Sequence, residues 1–196
     1  AVAEARRRQH ADAGGGQVGQ ALGLAGGGDH PRAQVLAQLH AGLADTTAGA
    51  GLERAANAGG CVGGSSGVVP WATLGLPETD AWGRRFGYRV SANFARTAPA
   101  FDLASVADNV VRNGSAVVLA SAVPAVIVSH GANARGSYGP GGAASPAGGD
   151  ARELENGDGD ADFVLDVPGD AYDDLVQWVP MTVLSYRMLQ SGAVTP

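Results

Sequence analysis

With 196 residues the chain has room for one domain plus an extension, and although 31 glycines and 10 prolines announce extensive loops, 45% hydrophobic residues argue against general disorder. The net charge of -6 comes from 19 acids against 13 basic residues, all of them arginine, and ten of the acids fall between Asp150 and Asp174 against a single Arg152. This balance argues against nucleic acid as a partner, because phosphates need a basic face, and the short cluster Arg6-Arg7-Arg8 does not reverse it. Cys61 stands alone, so no disulfide framework and no CxxC metal or redox pair exists. No run reaches the roughly twenty apolar residues that span a bilayer, and no signal peptide opens the sequence.

All eleven aromatic residues lie at or beyond Trp71, leaving the first seventy residues without a large core anchor. A boundary near Ser66 follows, with a helical segment and Gly/Ala-rich linker over 1–66 and a globular head over 67–196. Residues 1–13 are good helix formers, with Glu4 placed to pair with Arg7 or Arg8 one turn on. Gly14-Gly15-Gly16 and Gly26-Gly27-Gly28 interrupt that pattern, each glycine costing about 1 kcal/mol relative to alanine in a helix interior. A second helix is predicted over 29–45, where Asp29 can cap, Pro31 suits the first turn, and Val35, Leu36, Leu39 and Leu43 share a face. Residues 46–67 read as a loop.

The most specific stretch is 68–90. Trp71 and Trp82 flank two turn signals, Gly75-Leu76-Pro77 and Asp80-Ala81-Trp82-Gly83, after which Phe86, Tyr88 and Val90 alternate with Arg85, Gly87 and Arg89 at the period of a half-buried strand. The valine-rich runs 116–120 and 125–129, split by Ser121 and Pro124, predict two buried strands. Residues 132–162 read as one long connection, of the kind that is usually functional or mobile. Residues 163–167 and 175–179 predict two more strands. Residues 180–191 predict a helix with Pro180 at its start, Val183, Leu184 and Met188 on one face and Gly192 beyond its end. The order helix, strands, helix predicts an α+β fold with an antiparallel sheet and a short C-terminal helix.

Candidate chemistry is sparse. Asn156-Gly157-Asp158-Gly159-Asp160-Ala161-Asp162 alternates oxygen-bearing side chains with small residues and can either wrap a hard cation such as calcium or form an exposed turn of the Asn-Gly and Asp-Gly kind. In the first case Asp158, Asp160 and Asp162 are the candidate ligands, assisted by Asn156 or backbone carbonyls. The stretch is not an EF-hand: counted from Asp158, Phe163 stands where glycine is required and Gly169 where the bidentate glutamate belongs. Ser129-His130 lacks a nucleophile elbow, and neighbours on a strand point to opposite faces, so a hydrolytic triad is not expected and His130 is assigned to closing the strand. Gly14 to Gly19 fits G-x-G-x-x-G literally but lacks the preceding strand, and Gly59 to Gly67 lacks the lysine of a phosphate loop. Asp173-Asp174 reads as a solvated pair ahead of a strand. No enzyme is expected.

The turn Glu78-Thr79-Asp80-Ala81-Trp82-Gly83 before an aromatic strand resembles the turn that opens the sheet in bacterial type IV pilin-like proteins, above all the type II secretion pseudopilins. Three further segments agree in order: residues 126–131, the acidic run 155–160, and residues 173–179. The resemblance covers roughly 68–192 and implies a pilin-like head, a long N-terminal helix packed on an antiparallel sheet. It also implies a structural role in a secretion pseudopilus or pilus, contacts with other pilin-like subunits, and a place at the periplasmic face of the inner membrane. The anchor would precede the first residue, and calcium would bind in a loop of the acidic region. The sequence departs from this pattern over about 11–39, where an unbroken helix is expected, and Cys61 lacks the Pro-Cys-Pro partner the resemblance implies; a divergent segment or a shifted reading frame accounts for both. A secreted calcium-dependent binding or adhesion module is the alternative, and a hydrolase built on His130 and an aspartate the weaker one.

Overall fold

Five consecutive residues with no solvent exposure worth the name, Ala125–Ser129 (β7), form the axis of the structure. In the computed structural model, which describes residues 50–191 apart from 63 and 100, β7 lies between Gly87–Val90 (β4) and Leu175–Val179 (β9), antiparallel to both, and Ser66–Val68 (β3) completes the sheet beyond β4. Successive strand side chains point to opposite faces, so Ala125 and Ile127 enter one apolar cluster and Val126 and Val128 another. A strand covered on both faces must be apolar throughout, and Ala-Val-Ile-Val is.

One face is covered by Met181–Ser191 (α3), whose Leu184 and Met188, one turn apart, join Tyr88, Val90, Ile127 and Val179, with Phe94 and Phe101 at the edge. The other face meets a three-stranded mixed sheet: Val118–Val123 (β6) antiparallel to Asn109–Arg112 (β5), and Asp162–Val164 (β8) parallel to β5. Val111, Val123 and Phe163 of that sheet pack on Val126, Val128 and Val176. The remaining elements are the small hairpin Ala56–Asn57 (β1) and Gly60–Cys61 (β2), and the short helices Trp71–Leu74 (α1) and Ala151–Gly157 (α2). The fold is therefore α+β, with an antiparallel sheet as expected and a mixed sheet that was not.

β6 passes into β7 at Pro124, which has no N–H to donate and so ends one ladder where the next begins. Asn109, wholly buried, donates its side-chain amide to the carbonyls of Val123 (2.7 Å) and Pro124 (3.3 Å), and the Ser91 N–H also reaches Pro124 O (2.8 Å). The crossover thus leaves its carbonyls hydrogen-bonded inside the protein.

Several expectations are corrected. The run at 116–120 does not form a buried strand: β6 is the edge of its sheet, with Val118 and Leu119 about half exposed. Residues 46–67 are not wholly loop, since β1, β2 and the first two residues of β3 fall within the described part. The connection 132–162 contains α2, and β5 was not foreseen. The helices predicted over 1–13 and 29–45, and Gly192, lie outside the described residues.

Truncation Leu184→Ala is expected to destabilise the fold by about 2–5 kcal/mol, because it empties space between α3 and the sheet. Leu119→Ser, on the exposed edge, is expected to stay within about 0.5 kcal/mol of wild type. Chemical denaturation monitored by tryptophan fluorescence checks both.

Candidate functional site

The turn after α1 is held by one carboxylate. Asp80 is buried; its Oδ1 accepts from the backbone N–H groups of Trp82 and Arg84, both at 2.9 Å, while its Oδ2 accepts the Ser129 hydroxyl at 2.5 Å. An Asp at the first turn position readily folds back on its own backbone, and here its second oxygen ties the turn to the central strand. Arg85 is buried as well, against the alternation read from the sequence: it donates to Glu78 Oε1 (2.7 Å) and Pro140 O, and its guanidinium lies 4.2 Å from the centre of the Trp71 ring. A guanidinium over an indole face is electrostatically favourable.

Just beyond the same end of β7 a second polar group forms. Gly131, with φ of +56°, begins a tight turn in which a Cβ would stand 2.5 Å from Asp173, so only glycine fits. The N–H groups of Ala132 and Asn133 then point to Asp173 Oδ2 at 2.8 and 3.0 Å. Asn133 donates to Glu153 Oε1 at 2.5 Å. Asp174, with no exposure, accepts from Asn156 Nδ2 at 2.9 Å, and Asn156 also pairs with the backbone of Val164 in both directions. His130 Nδ1 approaches Asp174 Oδ1 to 3.5 Å without forming a hydrogen bond. Glu153, Asp173 and Asp174 each bring one oxygen within 4.8 Å of the others, an arrangement able to hold a metal ion. Burial pushes the Asp173 carboxyl up, opposed by the Asn133 and Ala132 N–H groups and reinforced by Glu153 and Asp174. The expectation that Asp173-Asp174 is a solvated pair is thus corrected: the chain entering β9 folds against α2, and both acids turn inward.

The acidic run lies nearby on the surface. Asp158 and Asp160 are exposed, Asp162 is partly buried, and each of the first two accepts the backbone N–H two residues on, from Asp160 (3.0 Å) and Asp162 (2.7 Å). Asp160 and Asp162 meet Glu155, an acid not chosen from the sequence, with ligand oxygens within 4.8 Å. Burial, then the charges of Asp160, Asp158 and Asp162, push the Glu155 carboxyl up, while Arg112 offsets part of this and pairs with Asp162 at 2.8 Å. Asn156, foreseen as an assisting ligand here, faces Asp174 instead. Ser129 and His130 go to different partners, Asp80 and Asp174, as alternation along a strand requires.

Glu153 and Glu155 sit on α2, and the signal for that helix was present: Asp150 and Glu153 have capping-box spacing. Asp150 Oδ1 accepts from Arg152 N (2.9 Å), and the Arg152 side chain bridges Asp150 and Asp166 while lying over the Tyr172 ring at 4.9 Å. No protein family, curated protein or solved structure matches the chain.

Hydrogen bonds from Arg152, side chain first, lower the Asp150 carboxyl from 3.8 to about 2. A depressed folded-state value means that its contribution to stability is present above about pH 4 and lost as pH falls through about 2. Asp150→Asn is therefore expected to be less stable than wild type near neutrality, with the difference closing toward pH 2; denaturation midpoints measured across that range check it.

Proposed function

We propose that the chain carries the globular head of a type IV pilin-like subunit, of the kind found in type II secretion pseudopili, and that its role is structural rather than enzymatic. One observation carries this reading. The four separated segments on which the resemblance rests meet in space: Asp80 of the aromatic turn binds Ser129 of the second segment, His130 of that segment approaches Asp174 of the fourth, and Asn156 of the acidic segment binds Asp174. Segments that share only an order along a chain need not touch. Here each one carries a side chain that holds another in place.

A head of this kind needs rigidity and a surface for neighbouring subunits, and the double-sided sheet supplies the first. Ser129 bonds Asp80 and His130 faces Asp174, so these two neighbours do not form a nucleophile–base pair. Filament assembly would proceed through an anchor helix encoded before Ala1, placing the head at the periplasmic face of the inner membrane. In this reading the other pilin-like subunits are the partners, and calcium bound by acidic residues stabilises the head.

The coding DNA upstream of the Ala1 codon tests the proposal. The expected result is an in-frame run of about twenty apolar residues with a glycine before an aromatic residue at its start and a glutamate inside it. A stop codon or an unrelated soluble domain in that position would overturn the filament role and leave a secreted binding module as the better account.

A further inference from the structure

We propose that Asn113, at the tip of the hairpin joining β5 to β6, is a site of covalent modification: its side chain closes onto the backbone nitrogen of Gly114 and converts to aspartate and isoaspartate. The inference stands without the filament reading.

The step needs no co-reactant but water, and no electrons change hands. The Gly114 N–H gives up its proton and the nitrogen attacks Asn113 Cγ. The new N–Cγ bond closes a five-membered imide, the Cγ–Nδ2 bond breaks, and Nδ2 leaves as ammonia carrying the balancing proton. Water then opens the ring at either carbonyl. Opening at Cγ gives aspartate; opening at the backbone carbonyl gives isoaspartate, in which the main chain runs through the side-chain carbon.

The turn supplies what this step requires. Asn113 Oδ1 accepts from the backbone N–H groups of Ser115 (3.0 Å) and Val117 (2.9 Å). Negative charge that develops on this oxygen as Cγ becomes tetrahedral therefore meets two fixed donors at oxyanion-hole distances. Gly114 is exposed, and among the described residues its N–H has no acceptor, so the attacking nitrogen gives up no bond inside the protein. A Cβ on Gly114 would run into the Asp166 carboxylate. That contact demands glycine, the residue whose nitrogen is least screened by a side chain.

A second Asn-Gly pair, Asn156-Gly157, provides an internal comparison. Asn156 is 6% exposed; its amide nitrogen donates to Val164 O (3.0 Å) and Asp174 Oδ2 (2.9 Å), and its Oδ1 accepts the Val164 N–H at 2.8 Å. Loss of that nitrogen as ammonia would leave a buried carboxylate and a strand carbonyl short of a donor, a cost that Asn113 does not face. The same dipeptide is reactive at one place and protected at the other.

Position gives the change its effect. The hairpin closes through Asn113 N–H to Val117 O and Ala116 N–H to Asn113 O, both at 2.9 Å, and isoaspartate lengthens the main chain inside that loop. Either product also adds a negative charge near Asp166. Val118 and Leu119 of β6 stand half exposed just beyond the turn, so a loosened loop changes how this apolar edge is presented.

The experiment ages the full chain at neutral pH and body temperature, folded in buffer and unfolded in guanidinium chloride. Peptide mapping follows both Asn-Gly pairs, and enzymatic methyl transfer counts isoaspartate. In guanidinium the two pairs are expected to convert at similar rates. In the folded chain Asn113 is expected to convert about tenfold faster than Asn156 or more, with an acidic shift on isoelectric focusing. Asn113→Gln, whose ring would have six members, is expected to abolish that shift. Folded Asn113 staying intact while the unfolded chain converts would overturn the assignment. So would equal conversion of both pairs in the folded chain, or an acidic shift that persists in Asn113→Gln.

Discussion

Asp174 fixes how the two sheets of this protein meet. It has no solvent exposure, it immediately precedes β9 of one sheet, and it is joined through Asn156 of α2 to the backbone of Val164 in β8 of the other. Apolar packing between the sheets, through Val111, Val123 and Phe163 against Val126, Val128 and Val176, supplies attraction but little direction. The amide of Asn156 supplies direction, because it satisfies a strand backbone and a carboxylate at once and does so in one orientation. A buried polar group left half paired is costly, so such a network selects one packing over its near alternatives. Asp80 does the same beside it, at Ser129, the last residue of β7, where one carboxylate holds both its own turn and the strand.

The parts of the fold that could be read from the sequence were those where burial imposes a period. Phe86, Tyr88 and Val90 alternate because one face of β4 meets the core, and β7 is an unbroken apolar run because both of its faces do. Leu184 and Met188 declared α3 by their spacing. What escaped was structure set by tertiary contact. β5 has only Val110 and Val111 between polar neighbours, and the Asn113-Gly114 pair that marks its hairpin was a local signal left unread. α2 is seven residues long and ends in Asn156-Gly157, so the turn chemistry of its last residues masked the cap at Asp150.

The candidate site was legible to a similar extent. Sequence shows that acids crowd between Asp150 and Asp174, and that Asp158, Asp160 and Asp162 have the spacing of cation ligands. It does not show that β9 enters beside α2, which is what turns Asp173 and Asp174 inward toward Glu153. Acids twenty residues apart carry no common signature in one dimension. Alternating acids do, and so the exposed group drew attention ahead of the buried one.

Charge balance then separates the acids of this region by how each is met. Asp150 and Asp166 share the Arg152 guanidinium, and Asp162 faces Arg112. Asp158 and Asp160 are exposed and bind the backbone two residues on, where water screens what remains. Glu153, Asp173 and Asp174 have neither remedy in full: two of the three are shut off from solvent, and the nearest guanidinium, on Arg135, stays 3.7 Å away and half outside. Substituting apolar residues of similar volume would remove the repulsion just as well, yet the chain keeps three carboxylates and surrounds each with donors that fix its position. Donors so placed hold each of the three carboxyl groups in one orientation and tie α2 to the turn after β7 and to the start of β9.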